Sequence, residues 1–116
     1  MQIAHERTDS VTMLFLTGRL DELAVSEVEA VFSDALNNEE QGLIVNLAGV
    51  EYISSSGLRV LLMLAKAMKK QQRTLKLCSL SPFVAEVFEI SNFSAVFTIC
   101  DDMSVARQGF GDAPDS

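Results

Sequence analysis

Three adjacent hydroxyls, Ser54, Ser55 and Ser56, stand directly before Gly57 and Leu58 in the run YISSSGLRVLL of residues 52–62. Hydroxyls in that pattern suit three chemistries: capping a helix, attacking as nucleophiles, or accepting a phosphoryl group that another protein reads. A cap uses one side chain and leaves two over. Gly57 costs a helix roughly 1 kcal/mol relative to Ala, and its bare backbone is open to close approach by another molecule. A serine nucleophile needs a base within hydrogen-bond reach and a group to orient that base. The single histidine, His5, lies in the first strand-like segment, and the serines do not form a G-x-S-x-G elbow. No GxxxxGK[ST] or GxGxxG loop is present to cradle phosphates. These residues argue against an enzyme.

Cys78 and Cys100 have neither CxxC spacing nor a nearby histidine. A zinc site needs about four ligands, so no metal and no other cofactor is expected. Both cysteines end apolar runs and read as small buried hydrophobes in a reducing compartment. The net charge of −7 disfavours nucleic acid and anionic membrane surfaces as partners. The first ten residues lack an apolar leader segment, and no apolar run approaches the ~20 residues of a membrane span. A cytoplasmic protein with no direct membrane insertion is expected.

The elements that position the serines follow from hydropathy period. The 116 residues, 48% of them hydrophobic, suit one domain with its own core. Residues 1–7 and 11–18 read as an N-terminal hairpin with a turn at Thr8–Ser10. From Ser26, Val28, Val31, Phe32, Ala35 and Leu36 share one helical face; Ser26 and Glu29 match a capping box, and Asn37-Asn38 a stop. Residues 42–47 form a near-continuous apolar run, typical of a strand buried on both faces. A short AGVEY connection leads from it to the serines and a long helix through about Gln72. Residues 74–80 and 95–100 read as strands, residues 82–90 as a helix opened by Pro82, and 101–108 as a last helix. The core spans about residues 3–107, with 109–116 as a terminal tail. Alternating strands and helices predict an α/β fold with a mixed, mostly parallel sheet and about four helices. Loops beyond the carboxyl ends of such strands commonly carry function, and the serine run follows one of them.

On the long helix, Leu58, Leu61, Ala65 and Met68 are expected in the core. Arg59, Lys66 and Lys70 form the opposite, solvent-facing stripe, with Met63 among them and Leu62 at its edge. A flexible Met ringed by cations suits either ordinary exposure or a partner contact.

In order and spacing, GRLDELAVSEVEAVF and LIVNLAGVEYISSSGLRVLL resemble the STAS domain of bacterial anti-sigma factor antagonists. The resemblance covers about residues 3–107. It rests on the G-x-L-D motif of Gly18-Arg19-Leu20-Asp21, the buried strand and the S-S-G-L motif from Ser55. It implies a non-enzymatic switch in partner binding: a GHKL-type serine kinase that is also the anti-sigma factor phosphorylates the serine before Gly-Leu. That position is Ser56, with Ser55 and Ser54 as alternative acceptors. The unmodified form binds the kinase and frees the sigma factor; the phosphorylated form lets go until a PP2C-type phosphatase resets it. By the same resemblance Asp21, otherwise a local turn former, lies near the loop and contacts the kinase. Ser55, Ser56, Gly57, Leu58, Arg59 and Met63 complete the expected contact surface. Two positions depart from the family pattern: Asn46 and Ser54 stand where members often carry Asp. The alternative is an unphosphorylated STAS subunit that docks constitutively in a membrane (lipid) transport complex.

Overall fold

The computed structural model describes residues 1–8 and 10–110. Its five strands are β1 (Gln2–Arg7), β2 (Val11–Leu20), β3 (Gly42–Ile53), β4 (Thr74–Cys78) and β5 (Thr98–Cys100). They lie side by side in chain order, with β1 antiparallel to β2 and every later pair parallel. Between the parallel strands run α1 (Val25–Leu36), α2 (Ser55–Lys70) and α3 (Pro82–Ile90), the last followed by one 3-10 turn at Phe93–Ala95; α4 (Met103–Arg107) follows β5. The expected α/β architecture with its N-terminal hairpin is the observed one. No helix among the described residues is long and apolar enough to cross a membrane.

Crossovers of one hand between strands laid down in sequence deliver their helices to a single face. The main core reflects this: Leu14 and Leu16 of β2 and Leu43, Val45 and Leu47 of β3 meet Val28 and Phe32 of α1, Leu61 and Leu64 of α2, and Val84 and Phe88 of α3. The opposite face has a smaller cluster in which Val11, Met13, Ile44 and Cys78 pack beneath Ala106 of α4 and Phe110. Phe110 is 6% exposed. Gly109 and Phe110, grouped in sequence with the terminal tail, therefore close the second face; residues 111–116 lie outside the described residues.

Strands β2 to β5 and helix α1 differ from their sequence-based outlines. The strand expected at 42–47 continues to Ile53, absorbing the AGVEY connection, because β2 also continues to Leu20 and supplies backbone partners. Register shifts between Phe15 and Thr17 and between Gly18 and Arg19 accommodate the extension. At Gly49 a Cβ would stand 2.8 Å from Thr17 Oγ1 and 2.9 Å from the Leu16 carbonyl, so glycine is needed for the strands to pass this closely. The capping box at Ser26 does not form. Asp21 instead builds a turn, with Oδ1 accepting from Leu23 N at 3.1 Å and its carbonyl from Ala24 N at 2.9 Å. That turn starts α1 at Val25 with Ala24 as an N-cap lacking a side-chain bond, which puts Ser26 inside the first turn. Finally, β4 ends at Cys78, where Ser79 takes a left-handed φ of 61°, and β5 begins at Thr98, after Phe93–Ala95 winds into the 3-10 turn.

At the end of the sheet remote from the serines, Glu40 is 9% exposed. Its carboxylate accepts from Arg7 Nε at 3.0 Å, from Arg7 Nη2 and from Thr12 Oγ1 at 3.1 Å. Arg73 donates to the Glu40 carbonyl at 2.8 Å and to the last carbonyls of α1, at Leu36 and Ala35. Burial pushes the Glu40 carboxyl up, but the bonds from Arg7, the backbone and Thr12 outweigh it and hold the group below its usual range. A carboxylate depressed on folding contributes stability that is present above its unfolded value, about 4.3, and lost as pH falls through the folded value. Thermal scans should therefore show the unfolding midpoint falling below about pH 4. Glu40→Gln should be less stable at neutral pH and show a flatter acid limb. An acid limb unchanged by the substitution would remove Glu40 from this role.

Candidate functional site

The serine run lies where β3 ends and α2 begins. Ser54 has extended backbone, and its Oγ accepts from Gly57 N at 3.2 Å, so it is the N-cap of α2. Its hydroxyl also faces the Leu20 carbonyl at 3.5 Å, and its own N–H donates to that carbonyl at 3.0 Å. Of the three hydroxyls, this one is committed to structure. Ser55 is exposed and Ser56 half-buried, and both lie in the first turn of α2.

Gly57 does not serve the purpose expected of it. It is buried, facing inward. A Cβ there would collide with the Leu20 carbonyl oxygen and lie 2.9 Å from Leu20 Cγ and 3.0 Å from Ile53 Cγ1. The bare backbone permits close approach of the protein's own β2, not of another molecule, so Gly57 shapes the site without presenting surface.

Of the two positions that depart from the family pattern, Ser54 belongs to the serine run, whereas Asn46 lies in mid-β3 at the level of His5, roughly 20 Å or more from it. Asn46 Oδ1 accepts from Ala48 N at 2.9 Å, and Ser54 Oγ caps α2. Each neutral side chain retains the acceptor oxygen a carboxylate would offer.

Leu58 is half-buried against the core, as is Ala65; Leu61 and Met68 are fully buried, joined by Val60 and Leu64. Arg59, Lys66 and Lys70 face solvent as expected, and Met63 is 55% exposed. Asp21 is mostly covered. Besides forming its turn, it pairs through Oδ2 with Arg19 Nε at 3.5 Å. Arg19 in turn lies over the Tyr52 ring at 4.1 Å, and Tyr52 stacks on Phe83 with ring centroids 5.8 Å apart. The G-x-L-D segment is thereby locked to the end of β3.

Ser56 opens into a cleft of about 230 Å³ between α1 and α2, where Glu22, Val25, Glu29, Arg59 and Met63 are its neighbours. A second groove of about 260 Å³ shares Glu29, Val60 and Met63 and continues along the two helices over Phe32 and Leu64. The structure thus brings together Ser56, Arg59 and Met63 from the sequence-based set. It adds Glu22, Val25 and Glu29, which the sequence reading missed. Leu23, 92% exposed on the turn beside Glu22, was missed as well.

His5 pairs in register with Leu14 on the edge of the sheet. It is six residues, roughly 20 Å at the usual strand rise, from the end of β2 that meets Ser54. No base stands near the serines from that quarter. Among the described residues no group of His, Cys, Asp and Glu is arranged to hold a metal ion. Cys78 is buried as expected, whereas Cys100 is only half-buried at the end of the edge strand.

Comparison with known proteins agrees with this geometry. The Bordetella bronchiseptica protein BtrV, to which the role of anti-sigma factor antagonist is provisionally assigned, is 33% identical over 110 residues, covering 95% of each chain. The anti-sigma-B factor antagonist of Staphylococcus aureus is 26% identical over 88 residues, which span 76% of this chain and 82% of that one. An anti-sigma-factor antagonist (STAS) domain protein of Planctomyces limnophilus superposes with a TM-score of 0.81 at 27% identity, over 90% of this chain and 93% of the other. The profile of the STAS domain matches residues 2–106, nearly the whole described length. The chain belongs to the STAS domain family.

Proposed function

We propose that this chain is an anti-sigma factor antagonist that works by partner switching, with Ser56 as the phosphorylated residue. The observation that carries this reading is the placement of Ser56: a half-buried hydroxyl in the first turn of α2, opening into the cleft beside α1, next to a capping serine already engaged. The names of the relatives support the general role. The unmodified chain binds an anti-sigma factor that is also a GHKL-type serine kinase, and so releases the sigma factor. Transfer of the γ-phosphoryl group of ATP forms a P–O bond to Ser56 Oγ and breaks the β–γ bridge, with ADP leaving and the hydroxyl proton passing to the kinase. A PP2C-type phosphatase hydrolyses the ester and restores the serine. The chain itself performs no catalytic step.

The physical effect of the phosphate is local. It adds about −1.5 to −2 charges. A helix N-terminus accepts an anion favourably, and Arg59 lies one turn away, so the fold is retained. A partner packed closely enough to cover the Ser56 hydroxyl must instead accommodate three hydrated oxygens beside Glu22 and Glu29. Incubation with the kinase and ATP should add one phosphate, about 80 Da, located at Ser56 by peptide mass spectrometry. Ser56→Ala should take up none. Equal incorporation into Ser56→Ala would move the site to Ser55.

A further inference from the structure

Away from the serines, Cys78 and Cys100 are register partners on the neighbouring parallel strands β4 and β5. Direct partners project from the same face of a sheet, and strands lie about 4.8 Å apart, within the roughly 4.4–6.8 Å Cα separation of disulfides. The register is pinned just beyond the pair, where Ser79 N donates to the Cys100 carbonyl at 3.2 Å. Cys78 is fully buried and Cys100 half-buried, and both pack on the sheet face covered by α4, with Cys100 at the rim of that smaller cluster. Cys100, at the rim of the cluster, is the thiol a small solute meets first, and Cys78 lies behind it.

We infer that Cys78 and Cys100 form a reversible redox pair, closed to a disulfide by hydrogen peroxide that reaches the half-buried Cys100. The Cys100 sulfur attacks one peroxide oxygen, the O–O bond breaks and water leaves, giving a sulfenic acid. The Cys78 sulfur then displaces the hydroxyl as a second water; two thiols and one peroxide yield one disulfide and two waters. Burial pushes the Cys78 thiol up, aided by the neighbouring Cys100 and Asp102, against a bond from Ser79. The order of the steps follows from position: Cys78 is fully buried and meets the oxidised sulfur of Cys100 rather than the peroxide itself. Cys100 ends a three-residue strand at the edge of the sheet, where the backbone has a neighbour on one side only and can follow the closing bond. The pair is independent of the reading of Ser56.

The test uses the full chain with excess hydrogen peroxide at about pH 8, where more thiolate is present. Intact mass should fall by 2 Da, a peptide linking Cys78 to Cys100 should appear in a non-reducing digest, and dithiothreitol should reverse both. Cys100→Ser should show no mass loss. Cys78→Ser should carry its added oxygen on Cys100; Cys78→Ala serves if that variant fails to fold. Gains of 32 or 48 Da without the linked peptide, a Cys100–Cys100 dimer, or thiols unchanged where free cysteine is oxidised would each overturn the assignment.

Discussion

Replacing Gly57 with Ala should lower the free energy of unfolding by about 2 kcal/mol, although alanine is the better helix former. At an exposed helical position the change would add roughly 1 kcal/mol. Here the new methyl meets the Leu20 carbonyl, a backbone atom that cannot rotate away, with Leu20 Cγ and Ile53 Cγ1 closing the other sides. Overpacking of that kind costs about 1–3 kcal/mol or more, which exceeds the propensity gain. The sign is the diagnostic quantity, read by urea denaturation with an unchanged slope. Relief of the clash requires the start of α2 to move off β2, which also breaks the cap from Ser54. Partner affinity should then fall together with stability. A Gly57→Ala variant as stable as the wild type would mean that the seating of α2 on Leu20 does not set the site.

Ser56→Asp should weaken binding of the anti-sigma partner about a hundredfold, or roughly 2.7 kcal/mol. A carboxylate brought into a covered contact there joins Glu22 and Glu29 on the cleft wall, where Arg59 supplies the positive charge, and a buried charge left without a close partner costs about 3–5 kcal/mol. Ser56→Asn separates charge from size and should retain most of the affinity. Neither change touches the core, and the new carboxylate sits favourably at a helix start, so the unfolding midpoint of Ser56→Asp should stay within a few degrees of wild type. Calorimetric titration of the three forms decides the matter. If Asp and Asn bind alike, the contact responds to bulk rather than to charge.

Much of this architecture was legible because hydropathy period and local breakers agreed. The stripe of Val28, Phe32 and Ala35, the continuous run of Leu43–Leu47 and the opposed faces of α2 each have one good solution in three dimensions. The end of β3 was not legible, since Gly49 reads as a turn residue and only the pairing of Gly49–Ile53 with Thr17–Leu20 makes this stretch strand. The capping box at Ser26 failed because the turn at Asp21 fixes the helix start first. Of the site, the serine run and the solvent face of α2 could be read directly. Glu22, Val25 and Glu29 could not, because their relation to Ser56 depends on how α1 packs beside α2, a contact between residues about 30 positions apart. Gly57 is the clearest lesson: its presence signalled close approach, and only the fold says that the approaching group is Leu20.

The most direct test is a titration of the anti-sigma partner into two preparations, the unmodified chain and the chain phosphorylated at Ser56, each shown by circular dichroism to be folded. The unmodified form should bind, and the phosphorylated form should show no binding at concentrations a hundredfold above those that half-saturate the first. Affinities agreeing within threefold, with the phosphate verified on Ser56, would contradict the switch.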